Sequence, residues 1–118
     1  MDLEVKVASQ GDIQIVTCRG RIVLGPEAEA LQRTLAAVKA PPCIVLNMSE
    51  VSYIDSNGLG IFARALAAAR KRGGDIKVCG LAAQPMAIMF LTQVMAAIQE
   101  FETCEQALAA FRNTQTPR

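Results

Sequence analysis

The chain has no histidine, no tryptophan and a single tyrosine. Without histidine it lacks the commonest general base and the commonest metal ligand. A hydrolytic triad of the usual sort is therefore unavailable. With so few aromatic rings, stacking on nucleic-acid bases is not expected. An excess of one charge is also missing. Twelve Lys and Arg stand against 11 Asp and Glu, and the net charge of +1 gives no reason to expect nucleic acid or an acidic membrane surface as partner. Cysteine pairs at metal spacing are absent too. Cys18, Cys43, Cys79 and Cys104 are widely scattered with no C-x-x-C, so neither a metal nor a cofactor is expected. Unclustered thiols, together with a charged first segment (MDLEVKV) that is not a signal peptide, point to a reduced, cytoplasmic setting. Cys79, at a strand end, reads as core.

The 118 residues suit one domain, and a hydrophobic share of 52% is enough for a core. Leu3, Val5 and Val7 alternate with polar residues as in a half-buried strand. Gly11-Asp12 reads as a turn, with Ile13–Cys18 as the antiparallel partner. Gly25-Pro26-Glu27 signals a helix start, and Leu31, Leu35 and Val38 carry an amphipathic helix over 26–39. Pro41-Pro42 ends it. The apolar run Cys43–Met48 fits a strand covered on both faces. A second helix is expected from about Asn57 to Arg72, closed by Arg70, Lys71, Arg72 and a left-handed Gly73-Gly74 cap.

Ile76–Gly80 is the next strand, residues 85–95 a third helix and Ile98–Phe101 a short last strand. Thr103 and Gln106 form a capping box for a final helix through about Phe111. The domain is expected over residues 1–112, with 113–118 as a flexible tail. Val78 to Gln99 contains no charged residue and has the length of a membrane span. Gly80, Gln84, Pro85, Thr92 and Gln93 interrupt it, so it reads as strand end, turn and buried-side helix. Strands alternating with helices give an α/β class.

The segment YIDSNGLGIF, residues 53–62, places Asp55, Ser56 and Asn57 between two apolar runs and adds two glycines. Asn57-Gly58 is a hairpin signal, but the Ala-rich sequence downstream has helical spacing. Gly58-Leu59-Gly60 with Ala63 matches a dinucleotide fingerprint, yet the acid expected about 20 residues on is missing. A helix N-cap explains one of the polar residues, with Ser56 or Asn57 accepting from the first helical N–H groups. It does not explain all three, nor two helix-weakening glycines. A serine at a helix N-terminus is exposed among backbone donors, so phosphate there would convert a neutral patch into an anionic one. The glycines are expected to keep that patch bare for a partner.

At these residues the sequence resembles a known family. "IVLNMSEVSYIDSNGLGIFARALAAARKRGGDIKVCGL" is similar to the core of STAS domains, the family of bacterial anti-sigma factor antagonists. The shared pattern is an apolar strand, a short polar step, "I-D-S-x-G-L-G" opening a helix, and a Gly-Gly stop. "IQEFETCEQALAAF" resembles the family's last strand and capped helix. The resemblance implies a mixed β-sheet with about four helices packed mainly on one side, and a partner switch without catalysis. It implies that Ser56 is phosphorylated by an anti-sigma factor of the serine-kinase type and dephosphorylated by a PP2C-type phosphatase. It further implies that the unphosphorylated form binds the anti-sigma factor through Asp55, Ser56, Asn57, Gly58 and Leu59. Two positions depart from the family pattern. Val23 and Asn47 stand where the family often carries acids.

Another function class fits a second feature. Met86, Met89 and Met95, with Ile88, Phe90, Leu91 and Val94, exceed what one buried stripe requires. Such a face suits an accessory or scaffold subunit of a larger assembly, stressosome-like or in lipid transport, with self-association through residues 86–95. A nucleotide at the helix N-terminus is a third reading. The nearest basic residue is Arg64, so weak binding at most is expected.

Overall fold

A computed structural model of the chain describes residues 3–93 and 96–115. The elements follow the order β1 (Leu3–Gln10), β2 (Ile13–Ile22), α1 (Pro26–Ala36), β3 (Cys43–Ile54), α2 (Ser56–Lys71), β4 (Asp75–Cys79), α3 (Ala83–Leu91), β5 (Gln99–Phe101) and α4 (Cys104–Gln115). The strands form one sheet in the order β1-β2-β3-β4-β5. Only the β1–β2 pair is antiparallel, joined through Gly11 in a left-handed conformation (φ 62°). The other pairs are parallel and are bridged by helices, as crossover connections require.

The alternation of β3 explains the layers. Ile44, Leu46 and Met48 face one core with Leu31 and Leu35 of α1, Leu59, Phe62 and Leu66 of α2, and Met89 of α3. Cys43 and Val45 face a smaller core with Ala107, Leu108 and Phe111 of α4. Three helices thus cover one face and α4 covers the other. The expectation of a strand buried on both sides holds for residues 43–48. The strand is longer than that apolar run, because β2 and β3 stay paired to Ile22↔Ile54 through two register shifts. Beyond Met48 the pattern loosens and only Val51 and Ile54 turn inward.

Helix ends also differ in places. α1 stops at Ala36, three residues short of the expected end, and the Arg72 guanidinium donates to the Ala36 and Val38 carbonyls beyond it. α2 closes as expected: Gly73 donates to Arg70 O and Gly74 to Ala69 O, the paired bonds of a Schellman cap, with Gly73 at φ 87°. The capping box of α4 forms, with Gln106 N–H donating to Thr103 Oγ1 (3.1 Å) and Thr103 N–H to Gln106 Oε1 (3.2 Å). α4 runs to Gln115, so the tail expected from residue 113 is partly helical. Of the third helix's expected span, Val94 and Met95 lie outside the described residues.

The reading of four separate thiols is corrected. Cys79 at the end of β4 and Cys104 at the start of α4 are joined in a disulfide. The two positions are 25 residues apart in sequence, and only the return of the chain through α3 and β5 brings them together. Cys79 is buried as expected, but as half of a crosslink. A reduced environment therefore no longer follows from the cysteine pattern. No helix among the described residues is long and apolar enough to cross a membrane.

Candidate functional site at the start of the second helix

The sheet delivers β3 to the N-terminus of α2 at the C-terminal edge of its parallel strands, where loops can present groups without breaking ladder bonds. Asp55 is the joint. Its backbone is extended (φ −95°, ψ −178°), and its side chain, rather than that of Ser56 or Asn57, caps the helix. One carboxylate oxygen accepts from Gly58 N–H at 2.8 Å and the other from Leu24 N–H at 3.0 Å. The Asp55 N–H in turn donates to Ile22 O at 3.1 Å. A single acid therefore ties the β2–α1 loop to the helix start. Burial pushes the Asp55 carboxyl up, but donors at Gly58, Leu24, Asn57 and its own backbone outweigh that and hold it below the ordinary carboxylate range.

A second clamp comes from α3. The Gln84 amide accepts from Ile54 N–H at 2.9 Å and donates to Ile54 O at 3.1 Å. The residue before the cap is thus fixed from a helix 30 positions away in sequence. Neither this clamp nor the Leu24 bond has a local sequence signal, since both depend on long-range placement.

Ser56 is the first helical residue and is exposed. Its hydroxyl has no hydrogen-bond partner among the described residues. Asn57 is half-buried. The glycines divide their work differently from expectation. Gly58 is buried, and a Cβ there would lie 2.5 Å from Ile22 O and 2.8 Å from Ile22 Cγ2. Its missing side chain lets the helix seat on the strand ends. Gly60 is the open one, facing only the Arg64 guanidinium, 3.2 Å from an ideal Cβ. Leu59, expected at the docking surface, is 6% exposed and packs in the main core. Of the five residues expected to meet a partner, Asp55, Ser56 and Asn57 therefore reach the surface, and Gly58 and Leu59 support them from beneath.

Around this point lie Leu24 (73% exposed) and Tyr53 (42% exposed), both large apolar side chains in solvent. The departures noted above lie at different heights of the sheet, Val23 just past the end of β2 and Asn47 opposite Thr17 in mid-strand. Val23 is half-buried in the β2–α1 loop. Asn47 turns its Oδ1 onto Ser49, accepting from both N–H (3.1 Å) and Oγ (2.9 Å). Ser49 packs against Gly80, which has φ 75° and leaves 2.9 Å between an ideal Cβ and Ser49 Cβ.

This strand-to-helix joint, on a sheet with one antiparallel edge pair, lies inside a match to the family model described as STAS domain, which spans residues 4–107. The chain belongs to the STAS domain family. No curated protein sequence matches it. Among solved structures, this STAS domain is similar to an anti-sigma factor antagonist from Mycobacterium paratuberculosis, with TM-score 0.82 and 24% identity over 94% of this chain and 95% of that one. It is also similar to the anti-sigma factor antagonist SpoIIAA in its unphosphorylated form, with TM-score 0.76 and 13% identity over 93% and 97%. A sulfate transporter family protein from Wolinella succinogenes gives TM-score 0.76 and 20% identity over 87% of each chain. At these identities the likeness is one of fold. Antagonists and transporter-family proteins therefore share the architecture of this STAS domain.

Proposed function

We propose that this STAS domain is an anti-sigma factor antagonist, a cytoplasmic partner switch controlled by phosphorylation of Ser56 and without catalysis of its own. The observation that carries the reading is the placement of Ser56. It is exposed at the first position of α2, with an unengaged hydroxyl, on a joint held by Asp55 and Gln84. A rigid joint lets a new charge alter docking without unfolding the helix. A phosphoserine adds about −1.5 to −2 charges at pH 7. The helix N-terminus accommodates that charge, while a partner that fits the unmodified surface around Asp55, Ser56, Asn57 and Leu24 is repelled. The partners are an anti-sigma factor of the serine-kinase type, bound by the unphosphorylated form, and a PP2C-type phosphatase. The groove between α1 and α2, lined by Leu35, Ala65, Arg64 and Arg72, does not include Ser56. In calorimetry against the cognate anti-sigma factor, Ser56→Asp is expected to weaken binding at least tenfold while Ser56→Ala binds as the parent does. Equal affinities of the two variants would contradict the charge mechanism.

A second reading, an accessory or scaffold subunit, is favoured by the end of α3. Pro85 and Met89 are buried there, but Phe90 and Leu91 are 72% and 79% exposed. Two adjacent apolar side chains in solvent suit self-association or a partner's groove. Light scattering at high protein concentration distinguishes the two. A monomer that stays monomeric removes the self-assembly form of this reading.

A further inference from the structure

We propose that Cys79 and Cys104 form a reversible thiol–disulfide site that fastens α4 to its face of the sheet. The observations are positional. The two Cα atoms are 5.2 Å apart, inside the roughly 4.4–6.8 Å window that a disulfide spans. Cys79 is fully buried at the end of β4, whereas Cys104 is partly exposed at the first residue of α4. One sulfur is therefore sheltered and the other is within reach of a small thiol or disulfide.

The helix that this bond holds also packs on a small core of its own. Its core consists of Ala107, Leu108 and Phe111 against Ile13, Cys43, Val45 and Cys79. A second attachment lies further along the helix. Lys77 is only 3% exposed, its ammonium bonded to Asp75 at 3.1 Å and to Gln99, and it sits 4.5 Å from the Phe111 ring centroid. Opening the disulfide therefore frees the first turns of α4 while the Phe111 end stays docked. The remaining cysteines do not compete. Cys18 is buried and its thiol is pushed up to about 12, so it is inert at neutral pH. Cys43 is 7% exposed and pairs in register with Asp75, four residues along β4 from Cys79.

The exchange is a two-electron reaction with a low-molecular-weight disulfide as oxidant. Cys104, as thiolate, attacks one sulfur of that disulfide, forming a mixed disulfide and releasing one small thiolate. Cys79, deprotonated where the undocked first turn of α4 admits water and a base, then attacks Cys104 Sγ and displaces the second small thiolate. The two protein thiols lose two protons and two electrons, and one small disulfide becomes two small thiols. The reverse sequence with a thiol reductant reopens the site. The positive end of α4 favours negative charge on Cys104, both as attacking and as leaving group.

The test uses the full chain equilibrated in glutathione buffers from fully reduced to fully oxidised. Samples are quenched with N-ethylmaleimide and read by intact mass and peptide mapping. The expected result is a reversible species that carries two maleimide adducts fewer than the reduced chain, in which peptides containing Cys79 and Cys104 are linked. Reduction is expected to lower the melting temperature by about 10 °C, from the loss of one crosslink. It should also raise hydrogen exchange at residues 104–110 at least tenfold more than at residues 56–71. Cys104→Ser should melt at the same temperature with and without reductant. Linkage of another pair, or no linkage even in oxidised glutathione alone, would overturn the proposal. So would equal melting temperatures and exchange in the two states, or a Cys104→Ser chain that still responds to reductant.

Discussion

At the scale of residues, the start of α2 is governed by two side chains and one missing side chain. Asp55 caps the helix and anchors Leu24, so Asp55→Ala is expected to cost about 1–2 kcal/mol in denaturant unfolding. The carboxyl is held below its usual range when folded, so its contribution is full above the unfolded value of about 3.9 and is lost as pH falls through the folded value. The stability gap between parent and Asp55→Asn should accordingly be wide at pH 7 and shrink progressively as pH falls below about 3.9. A gap that does not shrink in acid would remove the ionised cap from the account. The glycines should separate by sign. Gly58→Ala pushes a Cβ into the Ile22 backbone and is expected to destabilise by about 1–3 kcal/mol, despite alanine's better helix propensity. Gly60→Ala meets only the flexible end of Arg64 and should stabilise, by up to about 1 kcal/mol.

At the scale of elements, the joint between β3 and α2 depends on α3 through Gln84. Gln84→Ala leaves the Ile54 N–H and carbonyl without that amide and is expected to cost about 1–3 kcal/mol, read as a shifted denaturation midpoint. The same element shows what a sequence can and cannot carry. Local signals were legible: Thr103 with Gln106, Gly73-Gly74, and the two-sided burial of residues 43–48 all produced the structures their patterns imply. The identity of the α2 cap was not, because Asp55, Ser56 and Asn57 are all good caps and the choice follows from where Leu24 N–H lies. The length of β3 was hidden because its second half is held by pairing with β2, not by an apolar run. The disulfide was invisible for the same reason: widely spaced cysteines become neighbours only through topology. The role of Gly58 was misread, since a buried glycine and an exposed one look alike in sequence.

At the scale of the molecule, the sheet places the start of α2 and the small α4 core in different layers, so the proposed charge change at Ser56 and the proposed redox change at Cys79–Cys104 would act on separate parts of one scaffold. The main core, with Leu46, Ile54, Leu59 and Phe62, backs the start of α2 and gives a modified Ser56 a firm base. The fold is that of a STAS domain, and the antagonist function we propose for it rests on what happens at one hydroxyl. That function is tested most directly by mapping phosphate with mass spectrometry after the chain is incubated with its cognate anti-sigma factor kinase and ATP. The account predicts a single phosphate on Ser56, absent from Ser56→Ala. Phosphate on another residue, or none under conditions where the kinase is active, would contradict it.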